Sequence, residues 1–413
     1  NYTDKVYSHK WNNDFSEVRN KLISLSKGEW YLSVDADEIL VNPDDIIQFF
    51  LSGEFKSYNG ATVKIKSFSD SSKSKYSIND LNRIFKKDKD FKYLSTIHEQ
   101  PTFKNPTKVL TSIFEHYGYL NDDRELMERK FQRNCELLKR EVKKDPTNIY
   151  MNLQLGVTYS MHGDCEIALE ILEKTYKRMN NNDKRVYKQL LIEYSNLLVA
   201  NKRLTDVVNV CKEAVNLFKE DKQYKIDLLY NLANVSFAEK RYKNAIEYYN
   251  RYFDLVEKWE KGQLEPDNTI TTYKACHKNR ASIEFIVALY KIGDYNEAIE
   301  YSYKIDKESE FIICIKTIVD SFIKHNDFQW LYKYYVEKVL EMSEKVQFIF
   351  INEIEKQKRK LNSEGQKKLI NVFKIDTTIY GDYNKIIYCE QTEKKIQEIL
   401  YSISSLDLKE VNI

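Results

Sequence analysis

Gly28-Glu29-Trp30-Tyr31-Leu32-Ser33-Val34-Asp35-Ala36-Asp37-Glu38 is the stretch whose reading decides the fold. Trp30, Tyr31, Leu32 and Val34 make an apolar run too short for a helix, and Asp35, Asp37 and Glu38 stop it. Such a run fits a buried strand that ends in carboxylates. Ligand sites of open α/β sheets gather at the carboxyl ends of strands. Two carboxylates one residue apart there can place one oxygen on a divalent cation and another on a ribose or a metal-bound water. A cation with few protein ligands keeps positions open for substrate phosphates, and it neutralises charge on a departing diphosphate. The tripeptide alone says little, because Asp88-Lys89-Asp90 repeats it inside a charged turn where solvated carboxylates are expected.

Working outward, residues 1–120 alternate helices with short strand-like runs, as an α/β region does. Upstream of the acidic stretch, Val6 and Tyr7 end one short run. Asp14 followed by Glu17 has the form of a capping box, Phe15, Val18, Leu22 and Leu25 recur at helical spacing, and Gly28 stands where a C-terminal cap belongs. Downstream, Pro43 opens a second helix. Ala61, Val63 and Ile65 alternate with Lys64 and Lys66, the period of a half-buried strand. Further strands are expected at 83–85, 91–94 and 109–114.

After Asn121 the pattern turns helical. Leu126, Phe131, Leu137, Leu138 and Val142 lie at helical spacing up to Asp145-Pro146. A self-comparison then finds Gly156, Tyr159 and Ala168, followed by Ser195, Leu198 and Val207, then Ala233, Tyr242, Ala245 and Tyr249, then Ile286, Leu289, Tyr295 and Ala298. In the first three units a small residue on one helix precedes a small or branched residue on the next by 12 positions, as TPR-like helical hairpins require for close approach, while the fourth keeps only the second half, with Ile286 at the equivalent place. Residues 121–310 therefore read as an irregular TPR-like array with an insertion near 259–269, where Gly262 and Pro266 are the breakers. Residues 311–413 read as a helical extension capping it.

Composition agrees with a helix-rich protein of two or more domains. The chain has 413 residues with only 10 Gly and 5 Pro. Lys+Arg at 65 nearly balance Asp+Glu at 63, so no long-range field recruits nucleic acid or an anionic membrane. The six cysteines show no metal-ligand spacing and read as free thiols of a reducing, cytoplasmic compartment. No apolar run is long enough to span a membrane.

Trp11-Asn12-Asn13-Asp14-Phe15-Ser16, Arg19-Asn20, Gly28-Glu29-Trp30 and Asp35-Ala36-Asp37-Glu38 occur in an order that resembles family 2 glycosyltransferases. Arg83-Ile84-Phe85, then Phe91, Tyr93 and Ile97-His98-Glu99, resemble that family's acceptor-side segment, and His116-Tyr117-Gly118-Tyr119 its closing histidine motif. The resemblance covers about residues 5–120. It implies a nucleotide-diphospho-sugar transferase-like, Rossmann-like GT-A fold, and one subgroup of the family carries C-terminal TPR-like repeats. The family's opening strands, with a Tyr-Asn-Glu motif and an Asp-rich turn, find no counterpart here. Val6 to Trp11 corresponds to a third strand, and the expectation is a GT-A region incomplete at its N-terminus.

By the same resemblance Asp37 ligates Mg²⁺ or Mn²⁺, Asp35 contacts the nucleotide sugar or supports the metal, and Glu38 assists either. His116 reaches the metal or diphosphate from the other side; a histidine merely bonded at a strand end is the plain alternative. An inverting transfer needs a base for the acceptor proton. Glu99 is the candidate and His98 the rival, since neighbours on a strand point to opposite faces. Arg83 pairs either with phosphate or with a carboxylate of the sheet. The implied function is transfer from a UDP-sugar to a peptide, protein or glycan acceptor bound by the array. The alternative is a non-catalytic peptide-binding adaptor with a remnant transferase region.

Overall fold

The computed structural model describes residues 5–97, 99–118, 124–220, 222–265, 267–374, 380, 381 and 384. They fall into two compact units: 1–239 with 247–278, and 240–246 with 279–413. The first unit begins with α1 (Phe15–Leu25), β1 (Trp30–Leu32), β2 (Glu38–Leu40), α2 (Asp44–Leu51), β3 (Gly60–Phe68), β4 (Tyr76–Lys86), β5 (Tyr93–Leu94), β6 (Gln100–Pro101) and β7 (Thr107–His116). Helices α3 (Arg124–Lys144), α4 (Ile149–His162), α5 (Cys165–Arg178), α6 (Asn181–Val186), α7 (Lys188–Ala200), α8 (Leu204–Val215) and α9 (Lys225–Ala238) follow. Next come α10 (Tyr242–Glu260), which starts in the second unit, and a two-residue strand β8 (Thr271–Thr272).

The sheet runs β1-β4-β3-β7-β2, with β8 also paired to β4; only β3 and β7 are parallel neighbours. β1 lies at one edge and β2 at the other, yet residues 33–37 alone join them. Arg83 on β4 pairs with Glu38 on β2 although β3 and β7 intervene in the ladder, so the sheet is curled and the acidic turn bridges its two ends. Ala61, Val63 and Ile65 are buried, as the alternating pattern requires, and pack with Phe49, Ile84, Leu110 and Phe114. Trp30 packs on this cluster, while Tyr31 packs on Phe85, Phe91 and Tyr93 with Ile23 of α1. Successive side chains of β1 thus serve opposite faces.

Several local expectations need correction. The strand before the acidic turn is an edge strand, not a buried one: Leu32 is 43% and Val34 47% exposed. Apolarity told of packing at Trp30 and Tyr31 but could not tell how many strands flank them. Asp14 does cap α1, accepting from the Glu17 amide at 3.1 Å, but the helix ends at Ser26 with extended φ, so Gly28 is not its cap. The strand around residue 84 is much longer than three residues, because β3 supplies a nine-residue partner.

The array expectations hold locally. Ala168, Ser195, Val207, Ala233, Ala245, Ile286 and Ala298 are fully buried. α4 and α5 approach so closely at Gly156 that a Cβ there would collide with the Leu172 side chain, a contact only glycine allows. In the second unit, α11 (Lys278–Ile292), α12 (Tyr295–Ser302), α13 (Glu308–His325), α14 (Phe328–Tyr334), α15 (Glu344–Lys358) and α16 (Ser363–Phe373) form an all-helical body. Its core includes Phe285, Phe311, Phe322, Tyr334, Phe350 and Phe373. The expected helix at 388–406 and Cys389 lie outside the described residues. The other five cysteines are free thiols, and no helix among the described residues is long and apolar enough to cross a membrane.

β8 had no local signal, since its partners on β4 lie 192 positions earlier. It is held from the helical side by Asp227 of α9, whose Oδ1 accepts the amides of Tyr273 at 3.0 Å and Lys274 at 3.1 Å. Burial raises this carboxyl to about 7, opposed by Lys274 and the two amides. A folded-state value above the ordinary 3.8 contributes stability that is fully present below 3.8 and lost as pH rises through about 7. The chain is therefore expected to be more stable at pH 5 than at pH 8, by at most about 3 kcal/mol from this group. Asp227→Asn keeps the acceptor for both amides and removes the buried charge. Denaturant titrations should show the variant gaining stability at pH 8 and losing most of the pH dependence.

Candidate functional site

The residues singled out for chemistry converge on the turn between β1 and β2. The Glu38 amide donates to the Asp35 carbonyl at 3.1 Å, and the Asp35 amide donates to Glu38 Oε2 at 3.0 Å. This closed turn holds the Asp35 and Asp37 side chains in two different environments.

Asp35 sits between two guanidinium groups, with Arg19 Nη2 at 3.1 Å and Arg83 Nη2 at 3.3 Å. Burial alone would raise its carboxyl; Arg19 and Arg83 outweigh burial and hold it below the usual range. Glu38, whose side chain is 1% exposed, goes the other way: burial raises it despite the Arg83 pair. Arg19 also reaches Ser33 Oγ at 2.9 Å and Glu99 Oε1 at 2.6 Å. The result is a continuous chain, Glu99–Arg19–Asp35–Arg83–Glu38. Arg83 Nε is buried without a hydrogen-bond partner. Arg83 thus makes the carboxylate pairs that were one of its two expected roles.

Asp37 is outside this network and open. Its side chain is 45% exposed, and His116 Nε2 lies 3.5 Å from its Oδ1. The register sets this up: Glu38 pairs with His116 across β2 and β7, and the Tyr117 amide donates to the Asp37 carbonyl at 2.9 Å. On the far side of the ring, His116 Nδ1 is 3.1 Å from Ser67 Oγ at the end of β3. Gly118 completes the setting. A Cβ there would collide with Asp37 Oδ2 and sit 2.6 Å from His116 Nε2, so glycine keeps the space before both donors clear.

Two donors sharing one cation at about 2.1 Å in adjacent octahedral positions stand about 3 Å apart, close to the Asp37–His116 separation. These residues therefore fit Mg²⁺ or Mn²⁺ as a pair of ligands that leaves most positions to phosphate and water. Among the described residues no group of three or more His, Cys, Asp or Glu side chains makes a fuller cage. Glu99, 13% exposed, is joined to the site through Arg19. His98 lies outside the described residues. The sequence placed Arg19 and Gly118 in motifs without giving either a role, and it missed Ser67. Only the strand register could have revealed Ser67 and the part that Gly118 plays.

No family model matches the chain. A glycosyltransferase of Bacillus subtilis strain 168, the SPbeta prophage-derived SunS, is 24% identical over 312 residues, covering 64% of this chain and 69% of the relative. Glycosyltransferase SunS of Bacillus phage SPbeta matches with the same values. The chain is similar to a glycosyltransferase. Among solved structures, the MamA protein covers 49% of this chain and 88% of its own at 18% identity and a TM-score of 0.33. YrrB, described as a TPR protein with an unusual peptide-binding site, covers 53% and 91% at 16% identity and a TM-score of 0.32. The similarity to SunS supports a glycosyltransferase in general terms.

Proposed function

We propose that the chain is a metal-dependent glycosyltransferase of GT-A type that transfers a sugar from a UDP-sugar to a polypeptide acceptor with inversion at the anomeric carbon. The observation that carries this reading is the open Asp37 carboxylate beside His116, with Gly118 clearing the space before them. A divalent cation held there supplies charge neutralisation for the departing diphosphate.

The remaining roles belong to the chain itself. Asp35 orients Arg19 and Arg83, and their guanidinium groups present positive charge to the donor from the mouth of the curled sheet. Glu99 takes the acceptor proton as the nucleophile attacks. Ser67 fixes the tilt of the His116 ring so that Nε2 faces Asp37.

Calorimetry with Mn²⁺ and UDP tests the reading. The chain is expected to bind UDP only when Mn²⁺ is present. Asp37→Asn should weaken that binding at least about ten-fold while leaving the melting temperature unchanged, and Gly118→Ala, which crowds both side chains, should weaken it as well. Metal-independent binding, or none in any form, would favour the adaptor.

A further inference from the structure

Gln189 and Glu193 of α7 stand four residues apart, and so do Gln223, just before α9, and Asp227 within it. Both pairs have the same form, a glutamine followed four positions later by a carboxylate. Measured from the small residues Ser195 and Ala233 that mark equivalent places on the two helices, the second pair lies one helical turn earlier than the first. Gln189 and Glu193 share a face of α7, and with Asp227 of α9 and Gln223 in the turn that leads into it they form a polar rail. All four residues are less than a tenth exposed.

What covers the rail is an extended piece of the same chain. The Asp267 amide donates to Gln223 Oε1 at 3.2 Å and the Thr271 amide to Gln189 Oε1 at 2.8 Å. Gln223 Nε2 donates to Thr272 Oγ1 at 3.1 Å, Asp227 Oδ1 takes the amides of Tyr273 and Lys274, and the Tyr273 hydroxyl donates to Glu193 Oε1 at 2.5 Å. The other side of the segment adds to β4, Thr271 opposite Asn79 and Thr272 opposite Ile78. Nearly every contact is to main chain or to a hydroxyl, the way sheets and helix grooves bind peptides of varied sequence. The fit is incomplete, because Asp227 Oδ2 is buried with no hydrogen-bond partner. A segment offering one more donor would satisfy it.

The place matters as well. β4 gives one edge to β3, so β1 and β8 share the other, with Asp80, Leu81, Asn82 and Arg83 between their contacts. The four strand steps from Asn79 to Arg83 span about 13 Å. The segment therefore ends about that far along the strand from Arg83 and the acidic turn.

We propose that the rail on α7 and α9 is a docking track for an extended polypeptide rich in hydroxyl side chains, and that residues 267–274 occupy it as a built-in competitor. A partner segment gains the track by displacing the chain's own. The proposal concerns binding and does not rest on sugar transfer.

The test uses the full chain with Ile270→Gly, Thr272→Gly and Tyr273→Gly together, and as probe a fluorescein-labelled synthetic peptide with the sequence of residues 267–275. Fluorescence anisotropy is expected to show the triple variant binding the peptide at least ten-fold more tightly than the unsubstituted chain. Adding Gln189→Ala and Gln223→Ala should abolish the gain. A triple variant with unchanged circular dichroism and no gain in affinity overturns the proposal. Should that variant not fold, hydrogen exchange on the unsubstituted chain decides. Exchange of the Thr271, Tyr273 and Lys274 amides while α7 and α9 stay protected supports a displaceable segment; exchange only in step with those helices refutes it.

Discussion

Glu99→Gln is expected to lower kcat for UDP release from a UDP-sugar about 10³-fold, with KM changed less than about three-fold, because removal of a general base typically costs 10²–10⁴ in rate. Glutamine keeps the size of the side chain and an oxygen that can accept from Arg19 Nε, the bond now 2.6 Å long. The fold and the placement of Arg19 are thereby retained, and only the ability to take up a proton is lost. If Glu99 served solely to hold Arg19, the same substitution would change kcat by no more than a few-fold. A steady-state comparison of kcat and KM with a fixed Mn²⁺ concentration separates the two.

Arg19→Met is expected to cost about 3 kcal/mol and to lower the first melting transition by about 6 °C. Methionine fills much of the same volume, so packing against α1's neighbours changes little. What disappears is the one cation that, among the described residues, touches both Glu99 and Asp35. Their side chains are 13% and 35% exposed, which places the cost below that of a fully buried broken pair. The pH dependence gives a second check. Arg19 helps hold the Asp35 carboxyl below 3.8, so its contribution is present above that value and is lost as pH falls through the acid range. The gap in stability between the two proteins should therefore be widest near neutral pH and should narrow below pH 4.

The site was legible wherever its residues are neighbours in sequence. Asp35, Asp37 and Glu38 announce themselves as carboxylates after an apolar run, and the helical spacing of Gly156, Ala168, Ser195 and Val207 made the array readable from one chain. The contrast between the two aspartates was not legible. Asp35 is engaged by two arginines and Asp37 is open, and this follows from a curled sheet that brings β4 across to β2. No local pattern encodes a curl. Ser67 escaped, and Gly118 stood in a motif without a role, for the same reason: their significance is the company that register gives them. Burial of β1 was over-read, since a short apolar strand looks alike at an edge and in a centre.

The pairing of β8 with β4 also bears on how the protein is made. The β4 edge is finished only when Thr271 and Thr272 have been synthesised, 192 residues after Asn79. At 5–20 residues per second that is a delay of roughly 10–40 s. During that interval the nascent sheet carries a raw margin able to pair with other chains. Cutting the gene near residue 120 would make the interval permanent. The α/β region expressed alone should thus be prone to aggregate, and the helical region alone should leave the β8 edge at Thr271 and Thr272 without its strand partner.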